Sequence, residues 1–381
     1  MPSDPLPYGR HWIDEEDIQE VVKVLRSDWL TTGPAVEAFE RAIADYTGAK
    51  HAVAVSSGTA ALHAALFALE IQPGDEVIVP PLTFVATANC VAFLGARPVF
   101  ADVAPDTLLL DPARVAKKIS PRTKAILAVD YAGQPCDYDA LKSVAHAHGL
   151  ALVADACHSL GASDHNRNVG TLADLSVFSF HPVKSITTGE GGMITTDDAN
   201  MARRMRAFRN HGISTDHRER ALAGTWYYEM TELGYNYRLS DLQCALGISQ
   251  LRKLPGWIER RQQIASQYAA ALENSPVARP LSVRSGISHG RHLYVVRVNP
   301  DVGRDVFLSG LRAKGIGANV HYIPVHLHPY YREQHGGKPG MCPIAEEAYQ
   351  HIVSLPIFPR MTDADVRRVT HAIEDLGKLP C

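Results

Sequence analysis

Seven short apolar runs within the first two hundred residues constrain this chain more than any other feature. They cover residues 51–55, 76–79, 98–102, 125–130, 151–155, 175–180 and 193–196, and helical patterns at 59–69, 83–94, 112–119 and 138–148 separate the first five. Short strands that are apolar on both faces and joined by helices belong in a mainly parallel sheet covered on both sides. In such a sheet ligands gather at the carboxyl ends of the strands, so chemistry is to be sought just past each run. Two amphipathic helices, 14–26 and 34–46, precede the alternation; the second opens on Pro34 and stops before Gly48.

Past Asn200 the pattern changes. It predicts helices at 201–210 and 240–251, a long helix at 256–273, a strand at 292–298, a helix at 304–314, a strand at 318–321 and a closing helix at 363–376. Residues 274–290, with Pro276, Pro280, Gly286 and Gly290, read as a surface excursion. The expected organisation is a large α/β domain with a seven-stranded, mainly parallel sheet (1–250, including an N-terminal segment 1–30), followed by a smaller α+β domain (251–381). Composition narrows the function classes. A net charge of -3, from 38 basic and 41 acidic residues, provides no bulk field to attract nucleic acid or anionic membrane. The polar, acidic first twenty residues do not read as a signal segment. The most apolar long stretch, 77–100, is broken by Pro80, Pro81, Asn89, Arg97 and Pro98, so it does not read as a membrane span. Cys90, Cys136, Cys157, Cys244, Cys342 and Cys381 form no metal-like CxxC pair. Free thiols in a reducing cytosol, and no metal site, are the expectation.

Ser56-Ser57-Gly58-Thr59-Ala60 joins the first run to a helix. Small residues there let the backbone approach an anion, and a helix N-terminus offers free N–H groups and a favourable dipole. A phosphate site and a serine N-cap account for it equally well. The segment lacks the lysine of a P-loop and the full GxGxxG spacing. Asp155 ends the fifth run, where an acid can cap a helix, close a loop salt bridge or bind a ligand, and His158 follows three residues on. The sixth run leads into His181-Pro182-Val183-Lys184 and a polar, glycine-rich turn ending at Gly192. A lysine among small and hydroxyl residues, just past a buried strand, is poorly explained as a solvated charge. Desolvation disfavours its ammonium form and leaves a nucleophilic amine able to condense with an aldehyde cofactor. Together the pieces describe a site for pyridoxal 5'-phosphate (PLP): Gly58, Thr59 and Ser179 for the phosphate, Asp155 for the pyridine nitrogen, Lys184 for the aldehyde. Phe84 either lies against the ring face or is an ordinary core aromatic.

SSGTAAL, DACHSLGA, FSFHPVKSITTGEGGMITT and LGYNYRLSDLQCALG resemble the sugar-nucleotide aminotransferases of the DegT/StrS family, and the resemblance runs from Tyr8 to the C-terminus. It implies the aspartate aminotransferase-like fold (PLP fold type I), a cytoplasmic homodimer with shared active sites, and catalysis by Lys184 and Asp155. It further implies that His158 lies beside the ring hydroxyl, that Ser179 binds phosphate or substrate, and that Asn236 reaches the cofactor phosphate of the neighbouring subunit. The turn around Asn236 would equally serve to cap the next helix. HPVK and the segment VHYIPVH at 320–326 are most similar to the branch acting in pseudaminic acid synthesis. That branch implies substrate contacts from Tyr8, Asp28, Trp29, Leu30, Thr31, Gly58, Ser179, Asn236, His321, Tyr322, Ile323 and Pro324. Ser185 stands where the branch often has proline, and the SSGT turn is a variant of its phosphate loop; both departures leave the sugar open.

The implied reaction moves an amino group from L-glutamate to a UDP-linked 4-keto-6-deoxy-N-acetylhexosamine. Lys184 shuttles the proton in both half-reactions. Arg10, Arg238 and His326 are unranked candidates for the nucleotide diphosphate. Other readings are amination of a different keto sugar (perosamine-type), a 3-dehydratase, and a non-enzymatic regulator on the same fold. The dehydratase carries His in place of the lysine, which Lys184 argues against. The regulator would bring a DNA-binding module or a basic patch, which the sequence does not show.

Overall fold

A computed structural model describes residues 5–377, so Cys381 lies outside the described residues. The seven expected strands form one sheet in the spatial order His51–Val55, Gly192–Thr196, Leu175–Ser179, Ala151–Asp155, Thr123–Val129, Glu76–Val79, Arg97–Phe100. Every pairing is parallel except those of Gly192–Thr196, which runs antiparallel to both neighbours. The reason lies in the connection. A parallel return needs a crossover, usually a helix, and no helix lies between Leu175–Ser179 and Gly192–Thr196. The chain turns straight back, and that turn carries Lys184.

The sheet's core is almost wholly aliphatic, with Val53, Ile78, Ile126, Val153 and Val177 fully buried. A second cluster, including Tyr268, Tyr294, Val296, Phe307, Leu311, Val369 and Ile373, surrounds an antiparallel sheet of Ala278–Pro280, Tyr294–Val298 and Ile352–Leu355. One helix, Asp241–Leu272, contributes to both clusters: Leu251, Leu254 and Trp257 to the first, Ile264, Tyr268 and Leu272 to the second. The expected boundary at residue 250 falls inside it.

Three expectations of the second half are revised. The helices at 240–251 and 256–273 are one, because Pro255 sits on the exposed face while the buried phase Leu251–Leu254–Trp257 continues past it. Losing one backbone bond on the solvent side does not outweigh that packing. The strand at 318–321 is a single bridge between Asn319 and Ser354. Pairing stops there because the Asn319 side chain takes the Val320 N–H at 2.9 Å, competing with a ladder. The surface excursion at 274–290 is instead partly built into the fold: Ala278–Pro280 pairs with Tyr294–Val298, Ile287–Ser288 pairs with Ser163–Asp164, and Val277, Ala278, His289 and Gly290 are buried. The structure adds two helices, Pro329–His335 and Pro343–His351, and the strand Ile352–Leu355.

Candidate active site

The site is built where strand ends meet. Helix Gly58–Ala68 starts at the end of the first strand, and Ser57 caps it, its Oγ accepting the Ala60 N–H at 3.0 Å. Among the described residues the Gly58 and Thr59 amides take no hydrogen-bond partner. Gly58 is buried against the end of the Leu175–Ser179 strand: a Cβ there would lie 2.8 Å from Ser179 Cβ and 3.3 Å from Cys157 Sγ. Only glycine fits. The two open amides therefore share a cradle with the Ser179 hydroxyl, which makes only a long 3.5 Å contact with the His181 N–H and keeps its own proton to donate. That cradle suits a phosphate.

Asp155 ends its strand almost fully buried. Its Oδ2 accepts the Thr87 hydroxyl at 2.7 Å, and its Oδ1 accepts the Cys157 N–H at 3.3 Å. A buried carboxylate held by two donors suits the protonated nitrogen of a pyridine ring. Lys184 is half-buried in a turn fixed by hydroxyls: its N–H donates to His181 O at 2.9 Å, and Thr187 Oγ1 donates to Phe180 O at 3.0 Å. Among the described residues Lys184 Nζ makes no hydrogen bond or ion pair. Burial pushes this amine below the usual lysine value, with Cys157 and Asp155 opposing. The fit to PLP thus extends to all three of its groups: phosphate, ring nitrogen and aldehyde.

A wall of rings faces this crevice. His158 Nε2 lies 3.2 Å from the Tyr322 hydroxyl, while His158 Nδ1 is buried without a partner. Burial, with Lys184 and His321 adding, drives His158 well below the ordinary histidine range, so it is neutral at pH 7. His321 is pushed down to about 4 by burial and by Lys184; its Nδ1 pairs with Ser354 Oγ at 2.8 Å, and its carbonyl accepts the Tyr131 hydroxyl. Tyr8 packs on His321 with ring centroids 5.4 Å apart. Phe84 is 58% exposed, 6.3 Å from the Tyr322 ring, so it is not a core aromatic. Ile323 is exposed and Pro324 buried, and Val325 N–H donates to Pro81 O at 2.8 Å, tying this segment to the loop that carries Phe84.

The remaining sequence candidates sit on segments that adjoin this crevice: Ser56 N–H donates to Tyr237 O at 2.8 Å, next to Asn236, and Gln243 Nε2 donates to Glu190 O at 2.7 Å from the long helix that holds the 28–31 stretch. Asp28, Trp29, Leu30 and Thr31 form an exposed stretch at the N-terminus of the long helix, where Asp241 N–H donates to Leu30 O at 3.1 Å and Thr31 bridges Ser240. Asn236 is exposed and bridges Asn210, whose Oδ1 accepts from Arg238 at 2.7 Å. Arg238, Thr32 and Asn210 line a cavity of about 570 Å³. Arg10 is exposed. His326 is not available to a diphosphate: it is fully buried, its Nε2 on Glu346 Oε1 at 2.9 Å. Sequence reasoning missed Thr87, Asp130 and His292, the last buried with its ring 4.4 Å from that of His158. Thr87 shares its helical stretch with Thr83 and Asn89, so no local signal singles it out. Asp130, at the end of the neighbouring strand, is fully buried and accepts from Cys136 N–H, Tyr138 OH and Ser159 Oγ.

Residues 11–374 match the DegT/DnrJ/EryC1/StrS aminotransferase family. The chain belongs to this family. Over 378 residues this aminotransferase is 44% identical to the spore coat polysaccharide biosynthesis protein SpsC of Bacillus subtilis (strain 168), covering 98% of the chain and 97% of SpsC. It superposes on Helicobacter pylori PseC, an aminotransferase involved in the biosynthesis of pseudoaminic acid, with a TM-score of 0.92 and 32% identity over 98% of this chain and 100% of that one. For the PLP-form of Spr1654 from Streptococcus pneumoniae the TM-score is 0.91 at 31% identity, over 98% and 99% of the two chains. The aminotransferase has the aspartate aminotransferase-like α/β fold, and its cofactor is PLP.

Proposed function

We propose that this aminotransferase transfers the amino group of L-glutamate to C4 of a UDP-linked 4-keto-6-deoxy-N-acetylhexosamine, the step expected of a pseudaminic acid pathway. The observation that carries the reading is an unpaired, desolvated Lys184 amine beside the buried Asp155 carboxylate, with the Gly58–Ser179 cradle alongside. The likeness to PseC supports the choice of sugar. When bound, the cofactor supplies an electron sink for the charge left at the donor's α-carbon. In this reading Asp155 keeps a proton on the ring nitrogen. Lys184 Nζ removes the α-proton, carries it across the face of the site, and runs the transfer in reverse for the keto sugar. The neutral His158, backed by Tyr322, and the exposed ring of Phe84 would hold the cofactor's ring between them and Asp155.

The proposal includes a homodimer with shared sites. Trp226, Tyr227, Tyr228, Met230, Leu233 and Tyr235 are all exposed on the segment leading to Asn236, an apolar surface that a second copy would cover. It also includes a cytosolic setting, which the free thiols of all five described cysteines support. Among the described residues no helix is long and apolar enough to cross a membrane. A division into a larger and a smaller unit belongs to the same proposal, joined through the Asp241–Leu272 helix rather than parted at residue 250. A second reading, amination of another polysaccharide precursor, is favoured by the higher identity to SpsC than to PseC. Incubation with glutamate and a panel of 4-keto sugar nucleotides, with NMR of the products, tests both. Turnover of the UDP-N-acetylhexosamine substrate at C4 is expected, and exclusive turnover of another keto sugar would replace it with the second reading.

A further inference from the structure

Two buried threonine hydroxyls stand behind Asp155. Thr87 Oγ1 lies 2.7 Å from Asp155 Oδ2, and Thr83 Oγ1 lies 2.7 Å from Thr87 Oγ1. Thr87 is fully buried and Thr83 nearly so. An ionised carboxylate only accepts, so Thr87 must donate to Asp155; a hydroxyl has one proton, so Thr83 must in turn donate to Thr87. The charge at Asp155 therefore sets the direction of the whole chain. Helical threonines commonly turn their hydroxyl onto a backbone carbonyl three or four residues back. Thr87, in the first turn of helix Ala86–Phe93, turns instead onto two side chains.

We propose that Thr87 is a positioning residue for transamination: with Thr83 behind it, it fixes the rotation of the Asp155 carboxylate so that one oxygen remains aimed at the ring nitrogen. The inference rests on the assignment of Asp155 to that nitrogen. Without the Thr87 donor, Oδ2 would be left in a dry crevice with no partner on that side, and the carboxylate would turn toward whatever donor it could find. The same relay joins Asp155 to the loop of Pro80–Val85. One short segment would thus set both the aromatic ring over the cofactor, through Phe84, and the anion at its edge.

The test compares Thr87→Val, which keeps shape and removes the hydroxyl, with Thr87→Ser, which keeps the hydroxyl, and with Thr83→Val and Asp155→Asn. The readouts are the PLP dissociation constant of the apoenzyme, followed by titration, and single-turnover kinetics with glutamate. Thr87→Val is expected to weaken PLP binding and to slow the half-reaction by about tenfold or more, the worth of one hydrogen bond to a charged group. The apparent KM for glutamate should stay within about twofold, since no donor contact is lost. Thr87→Ser should restore most of both, and Thr83→Val should show a smaller loss in the same direction. If Asp155→Asn is impaired while Thr87→Val matches wild type in affinity and rate, the relay is overturned and the role of Asp155 survives. If Asp155→Asn is itself normal, the parent assignment fails and the relay with it. Should Thr87→Val not fold, Thr83→Val decides: unchanged affinity and rate there overturn the proposal.

Discussion

Replacing Asp130 by asparagine should stabilise the protein at alkaline pH, an effect that fades on acidification. Asp130 is fully buried, and burial raises its carboxyl from the ordinary 3.8 to about 6, with Ser159, Tyr138 and Cys136 donating against that rise. A carboxyl raised in the folded state disfavours folding once ionised. The cost is absent below the unfolded value, grows between 3.8 and about 6, and is complete above it. At about 1.4 kcal/mol per pKa unit that interval amounts to about 3 kcal/mol. Asparagine carries no such cost. Its oxygen can keep the Cys136 N–H and Tyr138 OH, now at 3.0 and 2.7 Å. Its NH₂ would face Ser159 Oγ, which accepts on a lone pair and turns its freed proton onto Ala156 O, now 3.3 Å away. The stronger bonds of the charged form are already contained in that shift, so the gain is about 3 kcal/mol at about pH 8, about half of that at about pH 5, and close to none below the unfolded value. Urea unfolding of both proteins at matched cofactor loading, at several pH values across that interval, measures the difference. A variant weaker at every pH, or a difference that does not change with pH, would show that Asp130 is not ionised against its burial.

Lys184→Ala should abolish transamination while leaving the fold and its melting temperature nearly unchanged; turnover within about tenfold of wild type would remove Lys184 from the chemistry. Gly58→Ala puts a methyl 2.8 Å from Ser179 Cβ, so PLP affinity should fall by about tenfold while far-UV circular dichroism is retained. Mixed dimers of Lys184→Ala with Asn236→Ala should regain activity relative to either variant. If Asn236 acts across the interface, one of the two sites has an intact lysine and an intact asparagine. No gain, with subunit exchange confirmed by native mass spectrometry, would confine Asn236 to its own chain.

The sheet was legible because its strands are short, apolar on both faces and separated by helices, a pattern with few alternatives. The candidate site followed from strand ends: Asp155 and Ser179 close apolar runs, and Gly58 and Lys184 sit just past them. What stayed hidden depends on partners distant in sequence. Thr87 and Asp155 are 68 residues apart, and nothing local marks the hydroxyl as theirs. Asp130 reads as one more acid at a strand end until its three donors are seen around it. His326 looks available in the sequence because Glu346, twenty residues on, is the partner that buries it. In the second half, the expected break between 251 and 256 does not occur, because the buried phase Leu251–Leu254–Trp257 runs straight through Pro255.

The uninterrupted Asp241–Leu272 helix bears on how such a protein can be taken apart or recombined. At 1.5 Å per residue it is a rod of about 48 Å, with its two ends embedded in different hydrophobic clusters. Cutting the gene at codon 250 would leave each fragment with a truncated amphipathic stub and a bare apolar groove, a recipe for inclusion bodies rather than for two soluble halves. Chimaeras between relatives would do better to join in the turn after Leu272, keeping the rod with the sheet that its first half packs against and asking the incoming partner only to match its last three turns.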